Sequence, residues 1–374
     1  MRETSSYSVS SIVYGRPPIK AVLYLSFKRV LYRACKLLGL FALARLLTRK
    51  ALRIVTYHGF AITDEHLFSP RTFISAEKFE GRMSFLVDKG FPVLDLGEAL
   101  DRIDRGDLPA GAVVLTIDDG FYGTYEVAYP VLAKHSLPAT VYVTTYYMVK
   151  GNPIFGLAVQ YLLWKTQRKS LDARSLDFLG AGSIPIATDA EKNRALQLII
   201  GYGEMECDED GRMRLAQTIG ERAGVEYTPV VEGRLFSLVN EAEIREMALA
   251  GIDIQLHTHR HIFPMDKARA LGEIRDNRAA LEPLVSRPLV HFCYPKGKWS
   301  EEQLPWLAEA GVRSAVTCDR GLNERETSKL ALRRFGDDEG MSQIEFEAEI
   351  CGFADMLRNC QRVIMRVAKK GAVR

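Results

Sequence analysis

The chain predicts an α/β fold, a single parallel sheet curled toward a barrel with helices outside it. Three observations carry this reading. Apolar runs of strand length alternate with amphipathic stretches of helical period in the order βαβαβ, and that alternation calls for crossover helices on a parallel sheet. Two of the apolar runs end in clusters of carboxylates or imidazoles, where α/β sheets and barrels assemble their sites. Finally, 374 residues suit one barrel of about 250 residues with extensions better than two equal domains.

In chain order, residues 54–56 read as the first strand. Ser75 opens a helix over 77–89 that places Phe79, Met83 and Leu86 on one face. A strand over 91–94, a helix over 97–105, a strand over 113–117, a helix over 125–135 and a strand over 140–144 follow. After Lys150 the alternation lapses, and 151–233 reads as a largely helical insertion with helical stretches at 154–165, 190–200 and 211–223. It resumes with a helix capped by Asn240 and ended near Gly251. A strand over 252–256, a helix over 266–282, a strand over 289–293, a helix over 301–309 and a strand over 314–317 complete it. The expected organisation is an N-terminal extension over 1–51, a barrel over 52–340 and a C-terminal helical tail over 341–374.

An apolar share of 47% and a charged share of 26% are ordinary for a globular protein, and a net charge of +3 gives no reason to expect nucleic acid as a partner. The charge is unevenly placed. No acidic residue lies between Thr4 and Thr63, whereas Arg16, Lys20, Lys28, Arg29, Arg33, Lys36, Arg45, Arg49, Lys50 and Arg53 are basic. The apolar runs of this segment, such as 37–44, fall short of the ~20 residues that cross a bilayer. Two readings stand side by side: an amphipathic helix lying on an anionic membrane surface, or a helix packed on the barrel with a solvated basic face. The polar start, Met1 to Ser11, does not read as a signal peptide. The six cysteines show no paired spacing, which suits free thiols in a reducing compartment. Cytoplasmic residence, peripheral at the membrane, is the expectation.

The chemistry is concentrated in two stretches. Thr116-Ile117-Asp118-Asp119-Gly120 places adjacent carboxylates at the end of a buried strand, and His257-Thr258-His259-Arg260-His261 follows another. Alone, Asp-Gly is a common turn and His-x-x-x-His can be two surface histidines. Together, one carboxylate and two imidazoles suffice to hold a divalent metal ion with positions left open, and a second carboxylate beside them can accept a proton. One helical turn after the second strand would put His257 and His261 on the same face.

At these residues the chain resembles the polysaccharide deacetylases of carbohydrate esterase family four, the NodB-homology domain, over about residues 53–340. The first stretch is similar to the family's Thr-Phe-Asp-Asp-Gly motif with Ile117 in place of Phe, and the second to its His-Ser/Thr-x-x-His motif. The resemblance implies a distorted (β/α) barrel of the NodB-homology type. It implies Asp118 as general base and Asp119, His257 and His261 as ligands of one divalent metal ion, with zinc the first candidate. Phe292-Cys293-Tyr294-Pro295-Lys296-Gly297 resembles the third motif and implies that the Lys296 backbone N–H holds the oxyanion.

Many members carry a base-orienting arginine at about the position of Cys293. Arg334, in Leu332-Arg333-Arg334-Phe335, is the candidate substitute, or else a surface arginine after an edge strand. Cys293 itself reads as a buried core thiol. Beyond His291 there is no late-motif histidine. Tyr57-His58-Gly59 resembles the early histidine motif of the poly-N-acetylglucosamine deacetylase branch, which makes His58 the candidate general acid. Tyr122, Tyr294 and Trp299 are expected either to stack on a sugar or to pack the barrel mouth. His259 reads as support, His66 and His135 as surface residues.

The expected function is removal of N-acetyl groups from an amino sugar of a bacterial glycan or lipid-linked precursor by a metal-dependent hydrolase. The N-acetylated glycan is the expected partner. The alternatives are a catalytically weak carbohydrate-binding protein and a membrane-associated assembly protein that keeps the barrel.

Overall fold

A computed structural model describes residues 19–371 apart from 175, 177 and 179–181; Arg16 and the Met1 to Ser11 stretch lie outside the described residues. Seven parallel strands form the main sheet: β1 (Arg53–Tyr57), β2 (Val113–Ile117), β3 (Thr140–Val143), β4 (Asp253–Leu256), β5 (His291–Cys293), β6 (Ser314–Val316) and β7 (Phe335–Gly336). Their spatial order is β6-β5-β4-β3-β2-β1-β7. The segment entering β7 then reaches back to the other edge, where Leu332 forms a parallel bridge with Val316 and exchanges backbone hydrogen bonds of 2.9 Å with Thr317 and Ala315. The sheet therefore curls until its edges meet through one bridge, which is a distorted (β/α) barrel.

Every residue of β1 through β6 is buried, as strands covered on both faces require. Inside the curl, Ile54, Val114, Tyr142, Cys293, Val316 and Leu332 pack with Leu96, Ala99, Leu100 and Ile103 of the helix Leu96–Arg105. Asp95 caps that helix through the N–H groups of Gly97 and Glu98, and Gly106 ends it at φ 78°. Ion pairs from Asp101 to Arg313 and from Asp95 to Arg287 tie it near the amino ends of β6 and β5. With that mouth plugged, the carboxyl ends of the strands form the open one.

Between β3 and β4 the insertion builds helices Phe155–Lys165, Asp189–Glu206 and Glu209–Ala223, together with an antiparallel ribbon of Ser170–Asp172 and Ser183–Pro185. Thr188 and Glu191 form a capping box that starts the second helix, and the Asp208 side chain caps the third.

Several expected elements differ. Residues 91–94 make a single bridge, Val93 to Val113, and no strand. The helix expected over 125–135 opens as a π-helical turn, Thr124–Ala128, before Tyr129–Lys134. The one expected over 301–309 opens as a 3-10 turn, Glu301–Gln303. β7, two residues long, offers too little alternation to be read from sequence.

Two N-terminal helices, α1 (Ile19–Leu37) and α2 (Leu40–Leu47), pack on the C-terminal helices. Tyr32, Phe41 and Ala44 meet Ile344, Ala348, Cys351, Phe353 and Ala354. Lys28 and Arg29 pair with Glu345 at 3.0 and 3.1 Å, and Lys36 pairs with Glu347. Three of the basic side chains are thus paired with acids at the edge of this contact, while Arg33, Arg49 and Lys50 stay exposed. Among the described residues, no helix is long and apolar enough to cross a membrane.

Candidate active site

β2 delivers two carboxylates in two directions. The Asp118 N–H still donates to Tyr57 O at 2.9 Å, in register with β1, so its side chain points into the barrel. Asp119 then takes φ 72° and Gly120 φ 79°, and this corner swings the Asp119 carboxylate toward β4. Gly120 is required twice over, by its positive φ and by the Val143 methyls that would lie 3.2 Å from a Cβ.

β4 delivers His257. Its N–H donates to Asn277 Oδ1 at 2.9 Å, and its Nδ1 lies 2.8 Å from Cys293 O. A carbonyl can only accept, so Nδ1 carries a proton, and Nε2 lies 3.2 Å from Asp119 Oδ1. Burial would lower the His257 pKa, but Cys293 and the Asp119 carboxylate outweigh it and push it up. Asn277 also donates to Val143 O and Thr145 Oγ1, which joins the helix Lys267–Leu281 to the end of β3.

His261 arrives by a different route from the one expected. No helical turn follows β4; Thr258 at φ 64° and His261 at φ 57° fold a loop instead. Glu273 pins that loop through the N–H of Arg260 at 2.7 Å and its guanidinium at 2.9 Å, and His259 Nδ1 meets Thr145 Oγ1 at 2.8 Å. The result places His261 Nε2 3.3 Å from Asp119 Oδ1, with the two imidazoles 5.0 Å apart.

One ligand atom from each of Asp119, His257 and His261 lies within 4.8 Å of the others, and all three residues are buried. Spacings of 3.2 and 3.3 Å match the edge of a tetrahedron with bonds of about 2.0 Å, roughly 3.3 Å. Burial would raise the Asp119 pKa, but the two imidazoles outweigh it and hold the carboxyl well below its ordinary range. Burial pushes His261 down to about 3, which keeps the ring neutral. An ionised carboxylate, the neutral His261 ring and His257, whose Nε2 would give up its proton to an incoming ion, form a donor set that fits a divalent cation.

Arg334 lies in the barrel interior, fully buried, and not on the surface. Its Nη1 and Nη2 donate to Asp118 Oδ1 and Oδ2 at 2.7 and 2.8 Å, while Nε donates to Thr317 O and Nη1 also to the hydroxyls of Thr56 and Thr116. Burial would raise the Asp118 pKa, but the Arg334 charge and its hydrogen bonds outweigh that and keep the group ionised. Cys293 Sγ touches the same guanidinium at 3.3 Å, and burial pushes its thiol up, which suits a core residue.

His58 Nε2 stands 3.7 Å from Asp118 Oδ2 and is partly open to solvent. Lys296 sits at φ 59° in the turn Pro295–Gly297. A Cβ on Gly297 would lie 2.5 Å from Cys318. Trp299 is half-buried beside that turn, its Nε1 donating to Asp319 at 3.2 Å. Tyr122 is half-buried under the Arg234 guanidinium, 3.8 Å from its ring, and its hydroxyl donates to Glu126.

Of the two roles open to Tyr294, the structure shows packing and not sugar stacking: it is fully buried among Phe263, Phe292 and Trp299 with its hydroxyl on Leu330 O. His66 and His135 are half-buried, the latter 2.8 Å from Glu80. Asn277 and the Thr56, Thr116 and Thr317 shell around Arg334 escaped the sequence reading. Asn277 carries no signal there, being one polar position among many on a mixed helix.

A model of the polysaccharide deacetylase family matches residues 105–172 and 217–315, two segments that carry both motifs and are separated by the middle of the insertion. The chain carries a polysaccharide deacetylase domain over these two segments. It is accordingly a glycan deacetylase, an enzyme that hydrolyses an amide bond. YxkH of Bacillus subtilis (strain 168), named as a polysaccharide deacetylase, is 22% identical over 302 residues, 80% of this chain and 76% of that one. The solved structure of the Streptococcus pyogenes deacetylase PplD in complex with acetate is similar at a TM-score of 0.54 and 18% identity, covering 81% of this chain and 99% of that one. IcaB from Ammonifex degensii is similar at 0.51 and 17%, covering 81% and 97%. Both structural likenesses bear on the fold, the distorted barrel of the NodB type.

Proposed function

We propose that this deacetylase is a metal-dependent hydrolase that removes N-acetyl groups from an amino sugar of a bacterial glycan or lipid-linked precursor. The observation that carries the reading is the convergence of Asp119, His257 and His261 on one point, with the arginine-bound Asp118 beside it. Asp119, His257 and His261 would hold the divalent cation, zinc being the first candidate for this nitrogen and oxygen donor set. When bound, such an ion acidifies water and polarises a carbonyl oxygen.

Asp118 takes the proton of the attacking water as the new carbon–oxygen bond forms. Arg334 fixes both oxygens of that carboxylate, so the base is oriented before substrate arrives. The Lys296 N–H donates to the oxygen that gains negative charge. His58, close to Asp118 and open to solvent on one side, gives a proton to the departing amine as the carbon–nitrogen bond breaks. The products are acetate and a free amino sugar. The match of Tyr57-His58-Gly59 to the early histidine motif favours a substrate of the poly-N-acetylglucosamine type.

The test is acetate release from a panel of N-acetylated glycans, with chelator and with zinc restored, for wild type and Asp118→Asn. Metal-dependent release that the substitution abolishes is the expected result. Release that survives both chelation and the substitution overturns the reading.

A further inference from the structure

The helical hairpin that opens the described chain has two apolar faces, and only one of them is covered. Tyr32, Phe41 and Ala44 face the C-terminal helices. On the other side, Tyr24, Phe27 and Leu31 follow one another at spacings of three and four along α1, a single helical stripe, and are 66%, 67% and 45% exposed. Leu38 continues the stripe into the turn at 76% exposed, and Leu43 and Leu47 extend it along α2 at 48% and 62%. Elsewhere among the described residues exposed apolar side chains are scattered, as on any soluble surface. Exposed apolar side chains concentrated in this way on one helical hairpin mark a surface that meets something.

The hairpin cannot turn the band inward. Lys28 and Arg29 are bound to Glu345, Lys36 is bound to Glu347, and Arg53 beneath the hairpin donates to Thr48 O and Ala51 O. These contacts fix which face of α1 and α2 looks outward. Arg33, Arg49 and Lys50 are exposed on the same two helices and the turn that follows them, and no acidic residue occurs between Thr4 and Thr63. A second copy of this chain would set these cations against themselves. An anionic lipid surface complements both the charge and the apolar band, and neither helix can span a bilayer.

We infer that α1 and α2 form an interfacial anchor that lies on an anionic phospholipid bilayer, leucines and aromatic rings in the acyl boundary and arginines and lysine at the headgroups. The anchor is built from residues outside the catalytic cluster, so its test does not depend on the reaction proposed above.

The experiment is flotation of the full chain with vesicles of phosphatidylcholine alone or of equimolar phosphatidylcholine and phosphatidylglycerol, at low and high salt. A Leu38→Glu, Leu43→Glu, Leu47→Glu triple variant is run beside it. Because these three side chains are exposed, the variant should keep its melting temperature and its acetate release from a soluble glycan. The full chain should float with the mixed vesicles, with binding about tenfold weaker on phosphatidylcholine alone, at high salt, or in the triple variant. The inference is overturned if the full chain does not float, or if the triple variant floats equally well. It is also overturned if the wild type is a dimer in solution that the triple substitution dissociates, since a second copy would then cover the band.

Discussion

The guanidinium of Arg334 meets the carboxylate of Asp118 through two parallel hydrogen bonds of 2.7 and 2.8 Å, and both side chains are buried. The two residues are 216 positions apart, and the segment that carries Arg334 is the one that closes the sheet. Closure of the barrel and orientation of the base are therefore one structural event.

Replacing Arg334 separates positioning from bulk stability. Arg334→Lys keeps a cation but loses the paired geometry. A base displaced by about 1 Å should cost roughly 10²-fold in the rate of acetate release, while bound metal, measured by elemental analysis, stays stoichiometric. Arg334→Met strands a buried carboxylate and should cost the fold about 3–5 kcal/mol, read from denaturant unfolding. A lysine variant with wild-type rate would show that the pairing does not orient the base.

Adjacent residues should give opposite phenotypes at the next step. Asp118→Asn is expected to retain the cation and lose about 10²–10⁴-fold in rate, the range for a general base. Asp119→Ala is expected to lose the cation itself, along with the activity. If both variants kept metal equally, the division between base and ligand drawn at the Asp118-Asp119 corner would fail.

What the sequence made legible follows from how local each determinant is. Val113 to Gly120 announces its own chemistry, since an apolar run, two acids and a glycine sit together, and the positive φ values of Asp119 and Gly120 execute that corner. His257 and His261 were recognisable as a pair, but not the means of joining them. The loop depends on Glu273 and Thr145, held from two other elements, and helical spacing mimics the result by coincidence. Arg334 could be nominated from sequence, but its burial could not, because that depends on a two-residue strand pairing with β1. Tyr294 shows a choice that sequence leaves open: an aromatic ring beside a motif can stack on a ligand or pack, and its neighbours Phe263 and Phe292 decide for packing.

Asn277 offers a test of support for the site at one remove. Its Oδ1 accepts the N–H of His257 while its amide donates to Val143 O and Thr145 Oγ1. Asn277→Leu should weaken zinc affinity about 10–100-fold, as loss of such outer contacts does, and orphan buried groups at a cost of about 1–3 kcal/mol. Competition with a chromogenic chelator reads the first, and chemical denaturation the second. A variant destabilised but unchanged in zinc affinity would reduce Asn277 to a structural strut.

The anchoring of α1 should depend on pH through Glu345. Burial would raise its pKa, yet the Ser342 hydrogen bond and the Lys28 charge outweigh it, and the group is held at about 2 against an ordinary 4.5. A carboxyl depressed in the folded state contributes stability that is complete above its unfolded pKa and is lost as pH falls toward the folded one. The contact between α1 and the helix Gln343–Ile350 should therefore be at full strength above pH 4.5 and weaken progressively toward pH 2. Hydrogen exchange, corrected for the intrinsic rate, should show α1 losing protection at about pH 3 relative to about pH 6. Glu345→Gln should reproduce that loss at neutral pH, with faster tryptic cleavage at Arg33. Because Glu345 lies far from Asp118 in chain and function, acetate release from a soluble glycan should not change. Protection of α1 that is identical at the two pH values would mean that apolar packing of Tyr32 and Phe41 alone holds the hairpin, and that its ion pairs add nothing.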